Sequence, residues 1–501
     1  MTRPVRPWAA LAVLCLGNFL ILLDTSIVNT AAPNLMTTLD ASLDELLWVL
    51  NGYLLALSCL LIVFSRVGDR FGPRRVFIGG LTLFGLASLA CGLAGTPAQL
   101  IAARVAQGVG AAALLPQALV LISAIFPAQR RGAALGIFTA VAGVAAVAGP
   151  TLGGLLVTSW GWPWIFFINV PLAAGGIAAA RGLVPDLRTP PPRGFDVPGV
   201  VLATAGLFAI VYALIEGERR HWGPVAGIVT IPGLLTAGVL LLVLFLRWES
   251  RRPEPLVPLR LFRDRTFAAG TAITLITSFA LYGFLLVFVI ETQTVLGMSP
   301  LVSGLTALPW TFVLSAVAPV AGRLTDRVGG RILLRAGLFL YALGVAGVAV
   351  FPQRSWDSWS YAGVLAFVGL GMGLTIAPTT TEALRGIAPE YAGPASGVLN
   401  TARQVGAALG AAVIGAVLQN QLVSRLSTVV TDLPDAAAIH LTRFADDVFA
   451  EAFLPAARWA LLVAAGVLLL GSILTVFMRQ TLQPGAMARS EKTADAERIP
   501  A

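Results

Sequence analysis

Long apolar segments recur along the whole chain and are separated by short polar loops. Most of them are about twenty residues long, which is the length an α-helix needs to cross the hydrocarbon core of a bilayer. The pattern predicts about fourteen transmembrane helices. They are expected at residues 8–32, 46–65, 76–95, 98–122, 132–157, 163–184, 197–215, 225–247, 267–290, 302–322, 332–351, 360–378, 396–417 and 457–478.

Two short basic loops are related by an internal repeat. When Asp69 in the loop 65–75 is aligned with Asp326 in the loop 322–331, three arginine pairs and one glycine pair coincide. The offset, 326 − 69 = 257 residues, indicates two related halves, as in many secondary transporters. We therefore expect an N-terminal six-helix bundle over 1–190, a two-helix insertion over 191–250, a C-terminal six-helix bundle over 251–480 and a disordered cytoplasmic tail over 481–501.

Composition and charge agree with an all-α integral membrane protein. The chain is 57% hydrophobic and only 12% charged, about half the charged fraction of a soluble protein. Its net charge of +9 comes from arginines in alternate loops, which is the positive-inside pattern. The charge is therefore explained by topology and predicts no nucleic-acid partner. We expect a monomer that crosses the plasma membrane many times, with both termini in the cytoplasm.

Few residues are suited to enzyme or cofactor chemistry. The three cysteines have no CxxC spacing, and both histidines, His221 and His440, lie in predicted loops. We expect no metal, no cofactor and no enzymatic activity. A nucleotide-binding P-loop is excluded because it needs a lysine before Ser or Thr, and the only lysine, Lys492, lies in the tail.

Charged residues inside apolar segments are the main candidates for function, because each costs roughly 2.5–3.5 kcal/mol to insert. Asp24 lies 24 − 8 = 16 residues beyond Trp8, roughly 24 Å along a helix and in the outer half of the bilayer. Asn18, Thr25 and Asn29 form a polar stripe beside it. Such a stripe belongs against a water-filled cavity. Asp24 is then either a proton or cation site, or an acid paired permanently for helix packing.

Arg104 is predicted at a depth similar to that of Asp24. It begins a polar patch in the fourth span with Gln107, which is a candidate for lining a substrate cavity. One interpretation is that Arg104 approaches Asp24, and that protonation of Asp24 weakens the pair and biases an alternating-access equilibrium. The other is that Arg104 binds backbone carbonyls and fixes the helix.

Three further features have two interpretations each. Glu291 ends the ninth span, where it either attracts cationic substrates at the outer mouth or is a solvated interface residue. Arg403 either lines a cavity or extends to the membrane surface. The segment 418–456 has apolar residues at helical spacing, and is either a pair of short amphipathic helices at the outer surface or a solvated loop.

The repeated basic loop is interpreted as a conformational latch, with topology-setting charge as the alternative. Its candidate residues are Arg66, Asp69, Arg70, Gly72, Arg74, Asp326 and Arg327. In the fifth span, Gly149, Pro150, Gly153 and Gly154 predict close helix packing and a kink. This segment either packs passively or forms a breakable seal between the halves.

These motifs together resemble the major facilitator superfamily, and within it the fourteen-span drug:proton antiporters of the EmrB/QacA type. The resemblance rests on four segments in order: residues 23–33, 65–75, 100–110 and 148–154. It implies the major facilitator fold and export by alternating access driven by proton entry. It also implies that Asp24 and Arg104 are coupling residues, and it favours a hinge or seal in the fifth span.

The expected function is proton-coupled efflux of hydrophobic or cationic drugs and antibiotics, with a small molecule and protons as the transported partners. The alternative within transport is an exporter or flippase of an endogenous lipid or metabolite. A membrane-embedded enzyme is disfavoured because no histidine lies at membrane depth.

Overall fold

The structure is a computed structural model that describes residues 6–186, 196–217, 220, 222–227, 229–252, 255–351, 359–388, 391–431 and 441–478. Within these residues the chain is almost entirely helical. The helices of the first part are α1 (Pro7–Thr38), α2 (Leu43–Phe71), α3 (Pro73–Gly92), α4 (Pro97–Ile125), α5 (Ala128–Trp160), α6 (Trp164–Phe167), α7 (Asn169–Leu183), α8 (Val197–Gly217) and α9 (Ile231–Glu249). Those of the second part are α10 (Arg265–Ile290), α11 (Pro300–Thr306), α12 (Leu308–Val328), α13 (Gly330–Val350), α14 (Ala362–Arg385), α15 (Ala392–Thr431) and α16 (Leu441–Leu474).

Local sequence signals set many of the helix ends. Ser42 and Glu45 form a reciprocal capping box at the start of α2. The sharp turns from α2 to α3 and from α12 to α13 are made by Gly72 and Gly329, whose φ angles are 91° and 82°. Residues other than glycine rarely adopt positive φ angles. The backbone conformation of the turns therefore explains why glycine recurs in both basic loops.

Twelve of the described helical segments are long and apolar enough to cross a membrane. This establishes a polytopic helical protein but a count lower than the fourteen predicted. Two of the predicted spans are not among these twelve segments. They correspond to α5, which has 33 residues, and α12, which has 21 residues. The predicted sixth span is divided into the short α6 and the longer α7.

The same arrangement of helices occurs twice. In the first part α4 packs against α2 and α3, and α1 packs against α5. In the second part α14 packs against α12 and α13, and α10 packs against α15. Each set surrounds its own apolar core, one centred on Phe77, Phe84 and Leu114, the other on Phe284, Tyr341 and Leu461.

The inserted helices α8 and α9 pack against each other, and α8 also contacts α2 and α15. Between them, β1 (Pro224–Ala226) and β2 (Val229–Thr230) form a small antiparallel hairpin. The predicted helix 225–247 therefore begins too early. Thr230 caps α9 by accepting a hydrogen bond from the Gly233 backbone, so the residues before it are free to pair as strands.

The described part of the segment 418–456 contains no separate short helices, which is a correction to that interpretation. α15 continues as one helix to Thr431, and α16 already begins at Leu441. The apolar spacing read there reflects the continuation of two long helices. Residues 432–440 and the predicted tail 481–501 lie outside the described residues.

Candidate functional site

Five polar side chains from four helices meet in the interior of the first bundle. Asp24 comes from α1, Ser88 from α3, Arg104 and Gln107 from α4, and Asn169 from α7. Each has at most 1% of its surface exposed. Buried polar groups at membrane depth are costly unless they satisfy one another, so their mutual contacts define the site.

Asp24 receives hydrogen bonds from three side chains. Its Oδ2 accepts from Arg104 Nη1, forming an ion pair. Its Oδ1 accepts from Gln107 Nε2 at 2.8 Å and from Asn169 Nδ2 at 3.2 Å. The structure therefore brings Asp24, Arg104 and Gln107 together in one hydrogen-bonded cluster.

Arg104 makes both of the contacts that the sequence left as alternatives. Besides pairing with Asp24, it donates from Nε to the Val49 carbonyl at 3.0 Å and from Nη1 to Gln107 Oε1 at 2.6 Å. Its guanidinium carbon lies 4.3 Å from the centre of the Tyr53 ring. The backbone contact and the ring hold the guanidinium in place independently of the charge on Asp24.

Ser88, Asn169 and Tyr53 were not predicted as site residues. Ser88 Oγ accepts from Gln107 Nε2 at 2.8 Å and so orients the amide that binds Asp24. The oxygen of Asn169, Oδ1, is buried and has no hydrogen-bond partner among the described residues. The one sequence signal that could have identified Asn169 is that it is a lone asparagine inside an apolar segment.

The two described members of the polar stripe on α1, Asn18 and Thr25, each donate to a backbone carbonyl. Asn18 is buried and donates to the Phe138 carbonyl of α5 at 3.2 Å. Thr25 is half-buried and donates to the Ile21 carbonyl at 2.8 Å. The side chain of Asn29 lies outside the described part of the structure.

The placement of Glu291 corrects the sequence interpretation. It lies at the end of α10, in a π-helical turn (Glu291–Val295), and only 1% of its surface is exposed. Its Oε1 accepts from the Tyr361 hydroxyl at 2.5 Å. Glu291 is therefore not a solvated residue at an open mouth. Arg403 is half-buried in α15 and donates to Asn400 Oδ1 at 3.2 Å.

The two aspartates of the repeated loops each contact the opposite part of the molecule. Asp326 of α12 accepts from the backbone N–H groups of Gly132 and Ala133 in α5, at 3.0 and 3.1 Å. Asp69 of α2 lies against Gly393 near the start of α15: a Cβ added to this glycine would be 2.1 Å from Asp69 Oδ1. The aspartates thus hold equivalent positions in two halves that face each other.

The arginines of these loops do not all make the same kind of contact. Arg66 pairs with Asp69 at 3.4 Å, and Arg74 donates to the Arg181 carbonyl. Arg70 and Arg327 are exposed, as expected of charges that set topology.

A second pair near the loop, Glu382 and Arg385, was not predicted. Glu382 Oε1 accepts from the Gly330 backbone at 2.7 Å and pairs with Arg385 at 2.9 Å. Arg385 also donates to the Thr325 carbonyl at 3.0 Å. Both side chains therefore bind backbone groups at the turn from α12 to α13. The bound residues are the sequence neighbours of Asp326 and Gly329.

The closest contact between α5 and the second bundle is not at the predicted glycines. Gly149 packs against Ser26 of α1, in the same bundle, and the space beside Gly154 is open. Gly153 is buried, and the side chain of Pro150 lies outside the description. The glycines of α5 that pack against α12 are Gly132, Gly136 and Gly143.

Comparisons with known proteins were consistent with one another. The family profile described as Major Facilitator Superfamily matches residues 14–411. The tetracenomycin C resistance and export protein of Streptomyces glaucescens is 38% identical over 420 residues, covering 83% of this chain and 77% of that protein. The multidrug resistance protein Stp of Mycobacterium tuberculosis is 39% identical over 404 residues, covering 80% of this chain and 74% of that protein.

A solved structure gives the same architecture. The human organic anion transporter MFSD10 has a TM-score of 0.64 to this chain at 12% sequence identity, covering 94% of this chain and 100% of that chain. At this identity the likeness concerns the fold alone.

Proposed function

Because this chain belongs to the major facilitator superfamily, we propose that it is a drug efflux transporter that exports hydrophobic or cationic antibiotics in exchange for protons. It is a transporter rather than an enzyme, and a multi-pass membrane protein. The names of its relatives, a tetracenomycin C exporter and a multidrug resistance protein, support drug export. Proton coupling is supported by the buried Asp24–Arg104 pair.

We further propose that α5 and α12 also cross the membrane, which gives fourteen spans and two six-helix bundles around the inserted pair. Both helices have at least 21 residues, enough to span about 30 Å. An even number of spans, with basic loops on one side, puts both termini in the cytoplasm of a cell whose plasma membrane contains the protein.

Asp24 is the proposed proton acceptor. In its ionised form it accepts from Arg104, Gln107 and Asn169. A protonated Asp24 needs an acceptor instead, and a turn of the Asn169 amide would supply its otherwise unpartnered Oδ1. Arg104 keeps its contacts with Val49 and Tyr53 in either state. The site therefore has two hydrogen-bonding arrangements that differ by one proton, which is what a coupled transporter requires.

The loop aspartates are the proposed latch between the halves. Asp326 and Asp69 contact α5 and α15 respectively, on the side of the basic loops. These contacts must break for that side to open. The glycines around Pro150 are the proposed hinge in α5, where a backbone without an N–H can bend.

The experiment measures dye uptake by proteoliposomes that contain the protein. The substrate is a fluorescent cationic dye, and a pH gradient across the membrane is the driving force. Wild-type protein is expected to accumulate dye against its concentration gradient only when a pH gradient is imposed. Asp24→Asn, which is uncharged at every pH, is expected to reduce gradient-driven uptake at least about tenfold while still exchanging dye for dye.

Asp40→Asn is the matched control. Asp40 is exposed just beyond the end of α1, and its φ of 49° is one that asparagine tolerates. Equal gradient-driven uptake by Asp24→Asn and wild type would refute proton coupling through Asp24. If properly folded wild-type protein does not exchange dye for dye at all, drug transport itself is refuted.

A further inference from the structure

Two carboxyl groups meet at the base of the inserted helices, far along the chain from Asp24. Asp196 immediately precedes α8, and Glu249 is the last residue of α9. Gly199 lies between them, and a Cβ added there would be 2.6 Å from Asp196 Oδ2 and 2.7 Å from Glu249 Oε1. The two side chains are within hydrogen-bonding reach of each other.

Three of the four oxygens of these carboxyl groups accept hydrogen bonds from N–H donors. Asp196 Oδ1 accepts from the Gly199 backbone at 3.1 Å, and both Asp196 oxygens accept from Trp248 Nε1 at 3.0 Å. Glu249 Oε2 accepts from the Val257 backbone at 3.1 Å. Glu249 Oε1, in contrast, has no donor among the described residues, although only 2% of Glu249 is exposed.

One proton between the two groups resolves this arrangement. Two adjacent carboxylates cannot both remain ionised without strong repulsion, and a shared proton gives Glu249 Oε1 its missing partner. A bound metal ion fits poorly, because the surrounding groups are N–H donors rather than the six to eight oxygens that a hard cation takes. Asp196 is only half-buried, so protons can reach the pair from solvent.

We propose that Asp196 and Glu249 bind one proton between them and form a titratable clasp that holds the base of α8 and α9 together. The clasp is the pair of carboxyl groups with the Gly199, Trp248 and Val257 donors. It is a proton site distinct from Asp24.

The clasp controls a helix that lies across the boundary between the halves. α8 contacts α2 of the first half and α15 of the second. Ala203 and Leu207 of α8 share one apolar core with Ile62 of α2 and Val398 of α15. When the proton leaves, repulsion at the base pushes α8 and α9 apart, and this core is loosened at the boundary.

The charged groups around the clasp favour its alternation between two states. Arg66 of α2 attracts Glu249 electrostatically, and it is the same arginine that pairs with Asp69 of the latch. Arg252 stacks on the Trp248 ring at 4.2 Å, and Arg260 bonds to Tyr391 at the start of α15. An ionised Glu249 therefore competes with Asp69 for Arg66, which links the clasp to the latch.

Infrared difference spectroscopy on the purified full-length protein tests the proton directly. Raising the pH should remove a carboxylic-acid C=O stretching band that corresponds to about one proton per molecule. Glu249→Gln and Asp196→Asn should each lack this band, because an amide N–H replaces the shared O–H. Asp24→Asn should retain it. Persistence of the whole band in both amide variants would overturn the proposal.

Thermal unfolding against pH is the second measurement. If the folded clasp binds one proton that the unfolded, fully ionised carboxylates do not, stability must fall as pH rises through the titration of the clasp. Glu249→Gln keeps a donor toward Asp196 and should unfold at the same temperature as wild type at low pH, without the decline. A decline of equal slope in wild type and Glu249→Gln would count against the clasp. Both measurements are independent of transport, so they distinguish failure of the clasp from failure of proton-coupled export.

Discussion

Arg104 illustrates how one side chain can serve two charge states of its neighbour. Three of its contacts go to groups that do not titrate in the physiological range: the Val49 carbonyl, the Gln107 amide and the Tyr53 ring. Only the fourth, to Asp24, depends on a proton. In the proposed proton coupling, the cation stays in place while the charge of the carboxylate changes, and the binding energy of the pair becomes a function of protonation.

Arg104→Lys should not behave as a conservative change. Lysine has one ammonium in place of the planar fork, so it can pair with Asp24 but loses the separate Nε bond to Val49 and the stacking on Tyr53. We expect a loss of about 1–3 kcal/mol in stability and at least a tenfold fall in gradient-driven uptake. Unfolding temperature and proteoliposome flux measure the two effects. Arg70→Lys, at an exposed position, is the control and should leave both unchanged.

The sequence singled out Asp24, Arg104 and Gln107, but not Ser88 and Asn169, which support them. Asp24 and Arg104 were identifiable because a charge in an apolar segment is rare and costly. Ser88 is uncharged, and a serine in a membrane helix can equally satisfy itself on its own backbone. Its hydrogen bond to Gln107 depends on how α3 and α4 face each other, which no local pattern specifies.

At the scale of elements, the contact of α5 with α12 depends on backbone approaching backbone. A Cβ on Gly136 would lie 2.4 Å from the Ala318 carbonyl oxygen and 2.7 Å from the Cα of Pro319. Neither atom can move without displacing the helix. Ser315 adds a hydrogen bond across the same contact, to the Ala140 carbonyl at 3.1 Å. Small residues of this kind are how membrane helices associate closely.

Gly136→Ala should therefore separate α5 from α12. We expect destabilisation of about 1–3 kcal/mol, as for other overpacked contacts, with slowed transport because the two halves no longer close. Gly154→Ala is the matched control for stability on the same helix: nothing lies within 4 Å of its added Cβ, so the unfolding free energy should be unchanged or rise by up to about 1 kcal/mol. Equal unfolding temperatures for the two variants would contradict this view of the contact.

The fifth span also shows the limit of pattern reading. The sequence indicates that α5 is rich in small residues, and it predicted close packing at Gly149. That glycine does pack closely, but against Ser26 of the same bundle. Small residues recur on more than one face of α5, and the sequence does not say which face meets the other half. The glycines that do, Gly132, Gly136 and Gly143, are distinguished only by the tertiary structure.

Over the whole molecule, the internal repeat was the most informative pattern in the sequence. The repeat relates Asp69 to Asp326 in the sequence, and the helix packing occurs twice in the same order. What the repeat did not give is the reciprocal arrangement, in which each aspartate contacts a helix of the opposite half. In the proposed latch, the loop of one half holds the other, and a single rigid-body movement breaks both contacts.

This reciprocity predicts the behaviour of the two aspartate variants. Asp326→Ala removes the acceptor for two backbone N–H groups, in Gly132 and Ala133. We expect it to favour the state open on the loop side by about 1–2 kcal/mol, or about 5–30-fold in population. Asp69→Ala should shift the equilibrium in the same direction. Because the two contacts open in one movement, the double variant should show the sum of the two free-energy changes.

Distances between spin labels on the loop-side ends of α2 and α15, and of α5 and α12, measure these populations. The open, longer distance should increase in both label pairs for each single variant, because either contact restrains the same movement. Asp40→Ala, far from both contacts in sequence and exposed, should leave both distributions as in wild type. A change confined to the label pair nearest the substituted residue would mean that the two contacts open separately. In that case the repeated loops would be two local clamps, and the halves would not move as rigid bodies.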